Sequence, residues 1–107
     1  MHFEEMPELT INNLKVKMPI IQGGMGVGIS LSGLASAVAN EGGIGVISSV
    51  GLGLLENDPK LSYKEGNKQR LKREIRKARS LSNGVLGLNI MVAITDYDEL
   101  VELAFDE

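Results

Sequence analysis

Pro19-Ile20-Ile21-Gln22-Gly23-Gly24-Met25-Gly26 is an apolar run that breaks abruptly into glycine. Met18 to Gln22 predicts a short buried strand, with Pro19 acceptable near its beginning, where a missing N–H does least harm to a sheet. Four glycines within residues 23–28 make the next segment a turn. A backbone without Cβ atoms at the end of a strand can lie directly against a ligand.

Working downstream, the same unit recurs. Ser30 or Ser32 is a candidate cap for a helix to about Asn40, with Leu31, Leu34, Ala35 and Val38 on one face. Gly33, Ala35, Ser36, Ala37 and Ala39 keep that helix thin enough to lie close to a sheet, and Glu41-Gly42-Gly43 ends it. Ile44-Gly45-Val46-Ile47-Ser48 is a second buried strand, with Ser49 following. Residues 54–66 read as a polar surface insertion. Asn67 is then a candidate cap for a helix to about Ser82, with Leu71, Ile75, Ala78 and Leu81 inward and Asn83-Gly84 as its stop. Val85 to Val92 is the third apolar run, and Thr95 or Asp96 caps a third helix. Upstream, Leu9 to Val16 alternates apolar and polar residues around Asn12-Asn13, which suggests a hairpin.

The order from residue 18 is β-α-β-α-β-α, with strands that are continuously apolar rather than alternating. Such strands are expected to be buried on both faces of a parallel sheet, giving an α/β fold. Three units would leave open sheet edges, and the chain stops within an amphipathic helix. The expectation is therefore the front of a longer protein; the alternative is a small three-layer domain that dimerises through its edge.

Composition narrows the function. The 107 residues carry 11 basic and 14 acidic side chains, a net charge of −3 that offers nothing to nucleic acid. Seven of the basic residues fall in Lys68–Arg79, where Glu74 and an apolar stripe make them the solvated face of an outer helix; the acidic last segment is placed to pair with it. There is no cysteine, so disulfides, thiolate metal sites and a cysteine nucleophile are all excluded. No apolar stretch approaches the roughly 20 residues of a membrane helix, and the acidic first ten residues are unlike a signal peptide. A soluble, cytoplasmic protein is the default reading.

The glycine turn invites a dinucleotide. From Gly24, however, the third glycine of G-x-G-x-x-G falls one place early, at Gly28, and the second strand ends in Ser48-Ser49 rather than an acid. No lysine follows the glycines, which excludes a P-loop. In a β/α barrel, ligand groups sit at the C-terminal ends of successive strands. Those ends are Gly23-Gly24-Met25, Ser48-Ser49 and Asn89, a set of amides, hydroxyls and a carboxamide. It suits a neutral heteroaromatic ring with polar edges and contains no strong general acid or base.

Pro19–Gly26, the segment Leu34-Ala-Ser-Ala-Val-Ala-Asn-Glu-Gly-Gly-Ile-Gly-Val-Ile-Ser48, and Gly87-Leu-Asn-Ile-Met-Val92 together resemble the N-terminal part of nitronate monooxygenases over about residues 9–106. Flavin-dependent enoyl-acyl-carrier-protein reductases share these motifs. The resemblance implies the N-terminal portion of a single FMN-binding (β/α)8 TIM barrel, apparently truncated, with residues 1–17 as a hairpin-like extension and 18–107 as the first three βα units. It implies FMN contacts at Gly23, Gly24, Met25, Ser48 and Asn89. The family's catalytic histidine and main phosphate loops come from later strands; the only histidine here is His2, before the first strand. The implied reaction is oxidation of an alkyl nitronate by oxygen through the flavin, with no nucleic-acid or membrane partner and a homo-oligomer as an option. Enoyl-thioester reduction with NAD(P)H is the alternative enzyme, and a non-catalytic binding or assembly module the alternative of another class. The 107-residue segment alone is expected to be inactive.

Overall fold

The structure is a computed structural model that describes residues 6–107; His2 lies outside the described residues. The hairpin forms as expected. Strands β1 (Leu9–Ile11) and β2 (Leu14–Val16) pair antiparallel, with Asn12 at a φ of 53° in the two-residue turn. Asparagine tolerates the left-handed region that such a turn requires. Val16 is buried, while Ile11 and Leu14 remain exposed.

The main sheet is built on β3 (Ile44–Ser48) and β4 (Val85–Asn89), parallel and in register from Ile44↔Val85 to Ser48↔Asn89. The expected strand at Met18–Gln22 is reduced to a single parallel bridge, Ile21↔Ile44, and both Ile20 and Ile21 are exposed. Two hydrogen bonds hold it, from Gln22 N to Ile44 O at 3.0 Å and from Ile44 N to Ile20 O at 2.9 Å. Pro19 brings no donor, and the backbone leaves the ladder after Gln22. The order across the sheet is nonetheless the expected one: residues 20–22, then β3, then β4.

Helices cover one face of this sheet. Helix α1 (Ser32–Asn40) lies on β3 so closely that a Cβ on Gly45 would fall 1.8 Å from the Ala35 carbonyl oxygen. Its buried face is Ser32, Ala35, Ser36 and Ala39, a stripe of small residues; of the expected Leu31, Leu34, Ala35 and Val38, Ala35 is buried, Leu31 packs half-buried against the core, Val38 is half-buried and Leu34 is exposed. Close approach to the sheet selects the small side chains. Helix α2 (Tyr63–Leu81) and helix α3 (Tyr97–Asp106) complete the layer. Ala35, Ile47, Leu52, Leu71, Ile75, Ala78 and Leu100 form the core, with Leu86 and Leu88 packed against it.

The caps depart from expectation in an informative way. Neither Ser30 nor Ser32 caps α1 with its side chain. The buried Glu74 of α2 does so instead, accepting from the Ser32 N–H at 3.1 Å and the Ser32 hydroxyl at 2.9 Å. A carboxylate there satisfies an orphan donor and faces the positive end of the helix dipole. Glu74 is thus part of the interior and not of the solvated face. Helix α2 begins four residues before Asn67, capped by the Ser62 hydroxyl, which accepts from Glu65 N–H. Asn67 is interior: its Oδ1 accepts from the Gly53 N–H, and its Nδ2 donates to Asp96 at 3.1 Å. The connection before α2 is therefore shorter than expected and holds a 3-10 turn, Leu52–Leu55, whose Leu52 is fully buried. Leu81 is exposed, and α3 starts without a side-chain cap from Thr95 or Asp96.

The anticipated pairing of acidic and basic helices is present. Lys68 meets Glu99 at 2.8 Å, and Arg76 meets Glu107 at 2.9 Å. The Lys68 ammonium, hydrogen-bonded to Glu99, holds that carboxyl below its usual range, and Arg76 does the same to Glu107.

Burial on both faces holds for β3, where every residue but the half-buried Val46 is buried, and fails for β4. The third apolar run leaves the sheet at Asn89, three residues before Val92, and the β4 residues are half-buried except Asn89, which is exposed. Alternation along the strands sends Gly45, Ile47, Leu86 and Leu88 towards the helices and Ile44, Val46, Ser48, Gly87 and Asn89 to the opposite face. The described sheet does not close into a barrel; it has the mixed α/β arrangement of the opening units of one. Among the described residues, no helix is long and apolar enough to cross a membrane.

Candidate functional site

The C-terminal ends of the strands gather the residues anticipated from the sequence onto one rim. Gly24 stacks against the end of β4: a Cβ on it would lie 2.6 Å from Asn89 Cβ and 3.1 Å from Asn89 Cγ. Gly26 covers the end of β3, where a Cβ would meet Val50 at 3.0 Å and the Ser48 hydroxyl at 3.5 Å. Two of the four turn glycines are therefore demanded by packing within the chain, and Gly28, at a φ of 77°, by its left-handed backbone. Gly23 is different. Its Cβ position faces open space, with nothing within 4 Å, and its φ is not positive. Neither packing within the described chain nor backbone geometry asks for glycine there.

Asn89 is not the buried carboxamide that its apolar surroundings suggested. Its side chain is exposed at the rim, and among the described residues the carboxamide has no hydrogen-bond partner. The reason is the strand end: β4 stops here, and the inner face beyond it carries no covering layer. Its backbone is firmly held, since the Asn89 carbonyl accepts from both Ser49 N–H at 3.1 Å and the Ser49 hydroxyl at 2.9 Å. An anchored main chain with a free amide head is a group prepared to donate and accept at once.

Ser48 is 2% exposed, and its hydroxyl is buried without a hydrogen-bond partner among the described residues. Such an orphan costs about 1–3 kcal/mol. Met25 is exposed, so it is not core filler. Its N–H donates to the Ser30 hydroxyl at 2.9 Å, and its carbonyl accepts from Ser30 N–H at 2.9 Å.

Two residues were not anticipated as supports of the rim. Ser30 is completely buried and ties the turn to the sheet, its carbonyl accepting from Ser48 N–H at 2.8 Å. Gln22 places its carboxamide between the turn and β3. A polar residue ending an apolar run was the available signal for Gln22; a serine in a glycine loop offered none for Ser30.

The donor set can be tested against a flavin from these contacts alone. A bare backbone at Gly23 and a free carboxamide at Asn89 fit a planar heterocycle with carbonyl and imide edges, whereas the Ser48 hydroxyl is buried beneath Gly26. No titratable side chain belongs to the set, so it cannot itself move a proton. Among the described residues, no cluster of His, Asp or Glu is placed to hold a metal ion.

A family model described as nitronate monooxygenase matches residues 8–106. The chain belongs to the nitronate monooxygenase family. No curated protein matches it. Membership in a family of flavin-dependent oxidoreductases agrees with the α/β order, and the nitronate monooxygenase match spans both the hairpin and all the elements that build the rim.

Proposed function

We propose that this chain contributes the first part of an FMN-binding rim in an oxidoreductase that oxidises alkyl nitronates with oxygen. The observation that carries the reading is Asn89: an exposed carboxamide, anchored through its backbone by Ser49 and seated against Gly24, with no partner of its own among the described residues. FMN held by Gly23, Gly24, Met25 and Asn89 at this rim would supply the redox chemistry between nitronate and oxygen.

The chain's own residues bind and orient. Gly23 lets the ring approach the main chain without a Cβ in the way. Gly24 and Met25 continue that edge, and Asn89 would donate to and accept from polar atoms of the ring. Ser48 is the weakest member, since its hydroxyl lies beneath Gly26 and reaches a ligand only if the turn yields. A proton-transfer group is absent from this set, which agrees with assigning that role to a residue outside it.

The test uses the full-length protein. It is expected to purify yellow, to release FMN on denaturation and to consume oxygen when given an alkyl nitronate. Asn89→Ala removes hydrogen bonds worth about 0.5–1.5 kcal/mol each and should weaken FMN binding up to about tenfold for each one. NAD(P)H oxidation driven by an enoyl thioester, without nitronate-dependent oxygen uptake, would move the assignment to the reductase. A folded protein with no affinity for flavin would refute the reading and favour a non-catalytic module.

A further inference from the structure

The carboxamide of Gln22 takes the position of a peptide group. Along the sheet, Ile44 N donates to Ile20 O, and Gln22 N donates to Ile44 O. Were the parallel ladder to continue, Val46 N–H would donate to the Gln22 carbonyl, and Gly24 N–H to the Val46 carbonyl. Both partners on Val46 are taken by the Gln22 side chain instead. Val46 N–H donates to Oε1 at 3.0 Å, and Nε2 donates to the Val46 carbonyl at 3.0 Å.

The sheet thus loses no hydrogen bonds where its first strand departs. The displaced backbone groups, the Gln22 carbonyl and the Gly24 N–H, have no partner among the described residues. The turn that carries them is fixed from the same point. Gln22 Nε2 also lies 2.8 Å from the Gly23 carbonyl and 3.0 Å from the Ser30 hydroxyl, which in turn accepts from Met25 N–H. A main chain that left the sheet without this substitute would strand two polar groups of β3, one donor and one acceptor.

We infer that Gln22 is the positioning residue of the rim: its carboxamide replaces the strand's own peptide in the sheet, and so frees the Gly24 N–H for a ligand acceptor beside Asn89. The inference rests on the flavin reading for the identity of that acceptor, a carbonyl or ring nitrogen of the isoalloxazine. Glutamine is one of the few side chains able to fill the place, because it offers a donor and an acceptor in one plane, as a peptide does.

Gln22→Met and Gln22→Glu in the full-length protein separate the possibilities. FMN dissociation constants are measured by flavin fluorescence, and protection of the Val46 amide by hydrogen exchange. Gln22→Met keeps the volume and loses both bonds; it should weaken FMN at least tenfold and expose the Val46 amide to exchange. Gln22→Glu keeps the acceptor and loses the donor while ionised, but regains a donor when protonated. The polar groups around Gln22 are Gly23, Ser30 and Val46, none of them titratable. The ratio of Gln22→Glu to wild-type dissociation constants should therefore fall towards one as pH drops through the new carboxyl's pKa. A merely structural substitution would show no such recovery. Tight FMN binding by Gln22→Met, or a pH-independent ratio, overturns the positioning role. If the wild type binds no FMN while Gln22→Met still exposes Val46, the flavin reading fails and the peptide substitution stands. If Val46 stays protected in Gln22→Met, the substitution itself is refuted.

Discussion

Gly24→Ala is the sharpest probe of the rim, because the structure states what the added methyl would strike. Its Cβ would lie 2.6 Å from Asn89 Cβ. Carbon atoms in comfortable contact sit about 3.5–4.0 Å apart, so the turn and the end of β4 must separate by roughly 1 Å. Overpacking of this kind costs about 1–3 kcal/mol. In urea denaturation without added flavin, that corresponds to a midpoint lowered by roughly 1 M. The neighbour at fault is a Cβ, which makes the second-site test specific. Asn89→Ala retains the Cβ and should leave most of the clash. Asn89→Gly removes it and should recover the loss, less the roughly 0.5–1 kcal/mol that glycine costs in a strand. The double-mutant cycle with Asn89→Gly should therefore show a coupling of about 1 kcal/mol or more, and that with Asn89→Ala a smaller one. A Gly24→Ala protein of unchanged stability, or equal rescue by both partners, would refute the stacking of the turn on β4.

Gly45→Ala should be the most damaging methyl in the chain, since its Cβ would fall 1.8 Å from the Ala35 carbonyl oxygen; loss of soluble folded protein is expected, by circular dichroism, where Gly23→Ala folds normally. Glu74→Ala leaves the Ser32 N–H and hydroxyl buried and unpaired, at a cost of about 2–4 kcal/mol in denaturant titration; Glu74→Gln keeps an acceptor and should lose less than half of that. The contact between α2 and α3 should depend on pH in two directions. The Glu99 and Glu107 carboxyls titrate below their unfolded values, so their contribution is whole above about pH 4.3 and is lost as pH falls through their folded pKa values. The hydrogen bond to Glu99 raises Lys68, so its contribution is whole below about pH 10.4 and is lost as pH rises through the folded value. Carboxyl titration by NMR, with Lys68→Ala returning Glu99 towards its ordinary range, checks the assignment.

Much of this was legible in the chain. Apolar runs at residues 44–48 and 85–89, the glycine stop at Gly42 and the Asn12-Asn13 turn follow from local backbone chemistry and stand in the structure, whereas α2 ends at Leu81 on an extended Ser82, before Gly84. The same holds for grouping Gly24, Ser48 and Asn89, because consecutive strand ends of a parallel sheet lie side by side. What misled was any inference that needed the neighbour's identity. Ser32 and Asn67 look like caps in isolation, yet Ser32 receives its partner from Glu74, forty-two positions away, and Asn67 reaches Gly53 and Asp96. Leu34 and Val38 promised the buried face of α1, but only the small residues of that helix can come within reach of Gly45.

By itself, the sequence determined the β-α order and which residues end the strands, since both depend on periodicity and turn chemistry within a few residues, while the family rests on the likeness of its motifs. The tertiary structure decided which groups at those strand ends remain free. Gly24 and Gly26 proved to be glycines for the sake of Asn89 and Val50, leaving Gly23 as the one whose bare backbone the described chain does not use. It also showed Gln22 closing the ladder with its side chain. Hydrogen bonds and van der Waals contacts act over a few ångströms in space, and residues 22, 46 and 89 become neighbours only after the chain has folded.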